Sequence, residues 1–204
     1  MTEEEKITEE KIFDAAKQVF ESKGLAGARM QDIADVAGIN KALLHYYFRS
    51  KEKLFEAVFI NLAEMMFRKL YGSLENDLPL EQKLEIFYRE HISFLQSHPR
   101  MPDFILHEIN QNPERIARIL RMDRLRRVRQ KLFNQIDEEI ASGSIKPVDK
   151  MQLFINIVAL SVFPFAARGL LDILLQEQNI DFDEFVEERK QVLPLFIINA
   201  LKGS

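Results

Sequence analysis

Apolar residues recur every three or four positions along most of the chain, and no stretch of useful length alternates apolar with polar. That period belongs to helices, not strands. Ile12, Phe13, Ala16, Val19 and Phe20 form the first stripe. Thr8 is placed to cap this helix, Glu9 and Glu10 occupy its first turn, where the helix dipole favours negative charge, and Gly24 is its expected stop. A second helix is predicted from Met30 to Ala37 on the stripe Met30, Ile33, Ala34 and Ala37, ended by Gly38. Asn40 then caps a third, short helix reaching about Phe48, and Ser50 caps a fourth from Lys51 to about Tyr71, closed by Gly72.

Further on, the pattern predicts helices from Leu80 to Ser97, Asp103 to Asn110, Pro113 to Ala141, Val148 to about Leu175 with an interruption at Pro164, and Asp181 to Leu201. The chain therefore reads as an all-α protein of about nine helices. A three-helix N-terminal domain is expected over residues 1–50 and a larger helical domain over 51–204. Composition agrees: seven glycines and seven prolines in 204 residues are too few for a turn-dense β fold. With no cysteine, disulfides and thiolate metal sites are excluded. The opening "MTEEEKITEEK" is acidic and lacks the apolar core of a secretory signal. The most apolar run, Ile155 to Ala167, is broken by Asn156, Ser161 and Pro164, so no membrane span is expected and the protein is expected to be cytoplasmic. A net charge of −4 argues against a general nucleic-acid coat, yet Lys11 to Lys53 holds eight Lys or Arg against five Asp or Glu.

The stretch "AGINKALLHYYFRSKEKLF", Ala37 to Phe55, concentrates the candidate chemistry. Helix, glycine turn and short second helix make a helix-turn-helix pattern. On a helical wheel Leu44 and Phe48 share the face that packs inward. Ala42, His45 and Tyr46 point away from it, with Leu43 and Tyr47 on the flanks and Lys41 and Lys51 bracketing the set. Outward aromatic rings between cations suit a face that meets another macromolecule. The wheel alone also allows half-buried tyrosines and merely solubilising lysines.

Over Ile7 to Phe59 the sequence "KIFDAAKQVFESKGLAGARMQDIADVAGINKALLHYYFRSKEKLFEAVF" resembles the TetR/AcrR family of bacterial transcriptional regulators. The apolar first helix, the glycine turn, "DIA" followed by "AGI", and "YYF" followed by "SKE" and "LF" carry the resemblance. It implies that Lys41, Ala42 and Leu43 lie nearest the bases, that His45, Tyr47 and Lys51 hold phosphates, and that Arg29 and Gln31 can reach DNA. Asn40 and Tyr46 complete the candidate DNA-binding set. Two departures stand out: the family usually has Tyr at His45, and often Ser, Thr or Gly at Arg29, Ala42 and Leu43. Leu43 cannot hydrogen-bond a base but can pack on a thymine methyl group.

The resemblance further implies a C-terminal domain that binds a small-molecule effector and forms a homodimer through a four-helix bundle. The candidate dimer residues are Leu153, Ile157, Leu160, Phe185, Arg189, Val192 and Phe196. A helix as apolar all round as "MQLFINIVALSVFPFAARGLL" must be covered on every side. The candidate pocket set is Phe87, His91, Phe94, Phe104, His107, Glu108, Met122 and Phe163, aromatic walls with a few polar anchors. Seven Arg and one Lys against one Asp crowd Arg115 to Lys131; Arg118, Arg121 and Arg129 differ in helical phase, which suits a solvated face better than a pocket. The histidines His45, His91, His98 and His107 lack metal-ligand spacing, so neither a metal nor a cofactor is expected. Catalysis finds no nucleophile–base pair and no phosphate loop. The function expected is a dimeric repressor that binds double-stranded operator DNA and is released by an unidentified small molecule, with a ligand-independent regulator or an activator, or from another class an all-α adaptor or enzyme, as alternatives.

Overall fold

The computed structural model describes residues 3–72, 74–114, 117 and 123–202. Among the described residues there are ten helices and no strand: α1 Glu3–Gly27, α2 Met30–Ala37, α3 Lys41–Tyr47, α4 Lys51–Gly72, α5 Leu80–Ser97, α6 Met101–Gln111, α7 Asp123–Ala141, α8 Lys150–Ala166, α9 Arg168–Gln176 and α10 Phe182–Lys202. They divide into two compact units, Met1–Glu64 and Met65–Ser204. The division falls inside α4, beyond the boundary expected after residue 50.

In the first unit α2 packs on α1 and α3 packs on α2. Helix α1 starts at Glu3, so Thr8 lies within it and is not its cap. Nothing before Gly24 interrupts a run of helix-compatible residues. Gly24, at φ 62° and ψ −179°, breaks the helical geometry with a positive φ that glycine adopts readily, and one more turn follows to Gly27. The core is Ile12, Ala16, Phe20, Ile33, Ala34, Leu44, Leu54, Phe55, Val58 and Phe59, all buried. Phe55 sits edge-on to Phe20 at 5.0 Å and stacks on Phe59.

In the second unit α5 packs along both α8 and α10, and α9 touches both of those helices. Leu84, Phe87, Tyr88, Ile92 and Leu95 of α5 are buried, as are Leu153 and Ile157 of α8 and Val186, Leu193 and Ile197 of α10. Leu153 and Ile157, expected at a dimer face, are buried within the chain itself. Helix α8 is apolar on all sides, so composition could not tell its inner side from its outer one.

The helix expected from Val148 to Leu175 is two helices, bent by 76° at Ala167. Pro164 has no N–H to give to the carbonyl of Leu160 one turn earlier. Arg189 Nη2 donates to that carbonyl at 2.8 Å instead. Asp181 starts α10 by accepting from the backbone N–H groups of Asp183 and Glu184. Among the described residues no single helix is long and apolar enough to cross a membrane; only the bent pair α8 and α9 together reaches that length and composition. Of the Arg-rich segment, Arg115, Arg118, Arg121 and Met122 lie outside the described residues.

Candidate nucleic-acid interface and buried sites

The short helix α3 is defined at both ends by its sequence. Asn40 Oδ1 accepts from Leu43 N at 2.7 Å, the N-cap bond expected of asparagine. Upstream, Gly38 takes φ 67° and ψ 31°, and its N–H and that of Ile39 satisfy the last carbonyls of α2. At the far end Phe48 is extended, closing the helix as a half-buried cap.

Leu44 is fully buried and anchors α3 to the layer beneath. That fixes the rotation of the helix, and Lys41, Ala42, His45 and Tyr46 are exposed as a result, with Leu43 and Tyr47 half-buried on the flanks. Tyr46 exposes 74% of its surface, an unusual state for an aromatic side chain, and stands edge-on to Tyr47 at 5.5 Å. Arg29 and Gln31 are exposed at the start of α2, where Gln31 Nε2 donates to Asp35 Oδ1 at 2.7 Å.

Lys51 is half-buried, and its Nζ donates to the carbonyl of Ala28 at 3.1 Å. This ammonium thus ties the start of α4 to the α1–α2 corner, a structural duty that spacing alone did not reveal. Two of its three N–H donors remain available to an anion. Ser50 caps α4 through Oγ, which accepts from Lys53 N at 3.2 Å, so the positive end of the helix dipole lies next to Lys51. In the same unit, Lys23 pairs with Asp32 at 2.6 Å and, chiefly through that hydrogen bond, holds the carboxyl below its ordinary range. The face thus presents cations, aromatic rings and amide and hydroxyl donors, with Asp32 and Asp35 engaged by Lys23 and Gln31. Such a surface can hold phosphates and present side chains to base edges.

Of the expected pocket set in the second unit, Phe87, His91, Phe94, Phe104 and Glu108 are buried. Asn112 Nδ2 donates to Glu108 Oε1 at 2.8 Å. His107 and Phe163 are exposed and do not join that set, because each sits on the outer side of its helix, and Met122 lies outside the described residues. Burial presses the His91 imidazole down to about 4, so it is neutral near pH 7. Its Nδ1 lies 2.9 Å from Ser161 Oγ. Sequence reasoning missed Ser161 and Tyr88; Tyr88, three residues before His91 on the same helical face, was the signal available for finding one of them. Arg189, expected at a dimer face, is half-buried and bound to Leu160 O, with its guanidinium over the Phe185 ring.

The outer surface of α8, α9 and α10 exposes Met151, Ile155, Phe163, Leu170, Ile173, Leu174, Val192, Leu195 and Phe196. Of the residues expected at a dimer face, Val192 and Phe196 are on this surface, and Leu160 and Phe185 are half-buried. The spacing Met151, Ile155 and Phe163 gives α8 an outer apolar stripe out of phase with Leu153 and Ile157.

Residues 12–58 match the family described as "Bacterial regulatory proteins, tetR family". The transcriptional regulator RutR of Escherichia coli is 29% identical over 152 residues, 72% of this chain and 69% of that protein. The transcriptional repressor NicS of Pseudomonas putida is 35% identical over 100 residues, 48% of this chain and 45% of its own length. Among solved structures, a TetR family transcription regulator from Marinobacter aquaeolei shares the fold with a TM-score of 0.68 at 20% identity, covering 98% of each chain. The helix-turn-helix head, the all-helical second unit and these likenesses together support a TetR-type, DNA-binding transcriptional regulator, with residues 12–58 matching the family itself.

Proposed function

We propose that the protein is a homodimeric, cytoplasmic repressor that binds double-stranded operator DNA and releases it when a small molecule enters the second unit. The observation that carries this reading is the exposed Lys41–Tyr46 face, held outward by the burial of Leu44. In this reading Lys41, Ala42 and Leu43 meet base edges; His45, Tyr46, Tyr47 and Lys51 take phosphates; and Arg29, Gln31 and Asn40 complete the contact. The dimer is supported by the outer apolar surface of α8 and α10, where Phe196 exposes 60% of its area. Contiguous apolar surface on this scale marks an interaction site. Two recognition helices in one dimer could then reach major grooves about 34–36 Å apart. The buried Phe87, His91, Phe94, Phe104 and Glu108 support an effector site, and the name of the relative NicS supports repression. Helix α4 is continuous from Lys51 to Gly72 and belongs to both units, which makes it the natural carrier of an effector signal.

The test is a gel-shift titration against the DNA upstream of the protein's own gene at two salt concentrations. Sequence-specific binding that weakens steeply with salt is expected, because each neutralised phosphate releases counterions. Weak binding that ignores sequence would remove the reading.

A further inference from the structure

Among the described residues, three polar side-chain atoms of the second unit are buried without a hydrogen-bond partner: Tyr88 Oη, His91 Nε2 and Arg189 Nε. They converge from neighbouring helices. Tyr88 and His91 are three residues apart on α5. Arg189 comes from α10, close enough to Tyr88 for each to perturb the other's ionisation. Helix α8 closes the group, with Leu160 O holding Arg189 Nη2 and Ser161 Oγ facing His91 Nδ1. Buried polar atoms are nearly always paired, and three orphans at one junction call for an explanation.

The bonds that are present fix what the free atoms offer. Ser161 Oγ donates its one hydrogen to Val158 O at 2.8 Å, so toward His91 it can only accept. The imidazole hydrogen is therefore on Nδ1, and Nε2 presents a lone pair. Tyr88 Oη offers a hydrogen, and burial raises its ionisation well beyond neutrality. Arg189 Nε offers a second hydrogen on a cation that, among the described residues, has no carboxylate at ion-pair distance. The node holds two donors, one acceptor and one uncompensated positive charge, flanked by the rings of Phe87 and Phe185.

We propose that this node is the headgroup site for a hydroxy acid with a hydrocarbon remainder. Arg189 Nε–H and Tyr88 O–H donate to the carboxylate, and His91 Nε2 accepts from the neighbouring hydroxyl. The proposal rests on the effector reading above. Charge-assisted bonds to a carboxylate are the strong kind, and a site built to bond a polar group rejects analogues that lack it.

The probes are 2-hydroxydecanoate, decanoate and 2-hydroxydecanamide, titrated calorimetrically into the full-length protein. The hydroxy acid is expected to bind about tenfold tighter than its amide and roughly threefold tighter than decanoate. Arg189→Gln removes the preference for the acid over the amide, and His91→Phe removes the preference for the hydroxyl. Tyr88→Phe weakens 2-hydroxydecanoate yet melts about 3 °C higher without ligand, since an unpaired buried hydroxyl has gone. That rise separates a binding role from a structural one, and Arg189→Lys, which keeps the charge, serves if the glutamine variant misfolds. Equal affinities for acid and amide, an acid preference that survives Arg189→Gln, a lower melting point for Tyr88→Phe, or no binding of any probe up to about 1 mM would overturn the proposal. If 2-hydroxydecanoate binds as expected but leaves operator DNA bound, the headgroup site stands and the effector reading fails. If another molecule releases the operator while these probes do not bind, the reverse holds.

Discussion

Leu44 and Tyr46 sit two residues apart on α3 and have opposite duties, fully buried and 74% exposed. Removing the Leu44 side chain leaves a cavity under the helix, so Leu44→Ala is expected to cost roughly 2–5 kcal/mol, read by urea unfolding. Tyr46→Ala removes nothing from the core and is expected to change stability by less than about 0.5 kcal/mol while weakening operator binding. Lys51→Ala, which removes the cation assigned to a phosphate, is expected to lower the salt slope of operator binding by about 1, measured by repeating the titration across salt concentrations. His91 yields a prediction about acid. Its folded-state value of about 4 lies below the 6.5 of an exposed imidazole, through burial. Between those two values the unfolded chain binds a proton that the folded chain does not, so stability is full above about 6.5 and falls as the pH drops toward 4, by about 3 kcal/mol. The neighbouring Tyr88 and Arg189 do not titrate in that window, and other carboxylates that do are shared by a His91→Asn comparison. The excess acid sensitivity of the parent protein over that variant, from urea unfolding at pH 7 and pH 5, is the expected observation. These residue roles were unevenly legible in the sequence. A seven-residue helix with one buried leucine has only one possible phase, so the outward face was readable. The partner of Lys51, the carbonyl of Ala28, lies 23 residues away, and no local pattern encodes it.

At the level of elements, the helix starts and stops that carried strong signals were readable. Asn40, Ser50 and Asp181 cap as their side chains allow, and Gly38 closes α2 in the left-handed region. A Cβ at Gly38 would meet open space, so Gly38→Ala isolates the cost of backbone conformation. A loss of about 1–2 kcal/mol by urea unfolding is expected, together with a looser α2–α3 turn. The element that resisted reading was α8. Its apolar residues encircle it, so periodicity chose no inner face, and Leu153 and Ile157 were assigned outward while they are buried. Pro164 marked an interruption correctly, but the chain turns three residues later because Arg189 replaces the missing N–H at Leu160 and lets α8 continue to Ala166.

For the whole molecule, the sequence disclosed an all-α chain with a helix-turn-helix head, because helical period and caps are local signals. The inner packing of the second unit depends on α5, α8 and α10 meeting across long separations, which a single sequence does not display. The outer apolar surface belongs to this scale. Phe196→Asp places a charge there and is expected to shift the protein toward monomer in sedimentation and to weaken operator binding steeply, since each head alone holds one half-site. The unshielded stripe on α8 and α10 also bears on how the protein is made and removed. In the dimer proposed above, a newly synthesised chain would display it until it met another copy, and during that interval would be open to chaperones and proteases. Abundance would then follow encounter frequency as well as synthesis. On that reading, a population diluted by growth would lose copies disproportionately, and the apolar stripe would set a floor below which turnover accelerates.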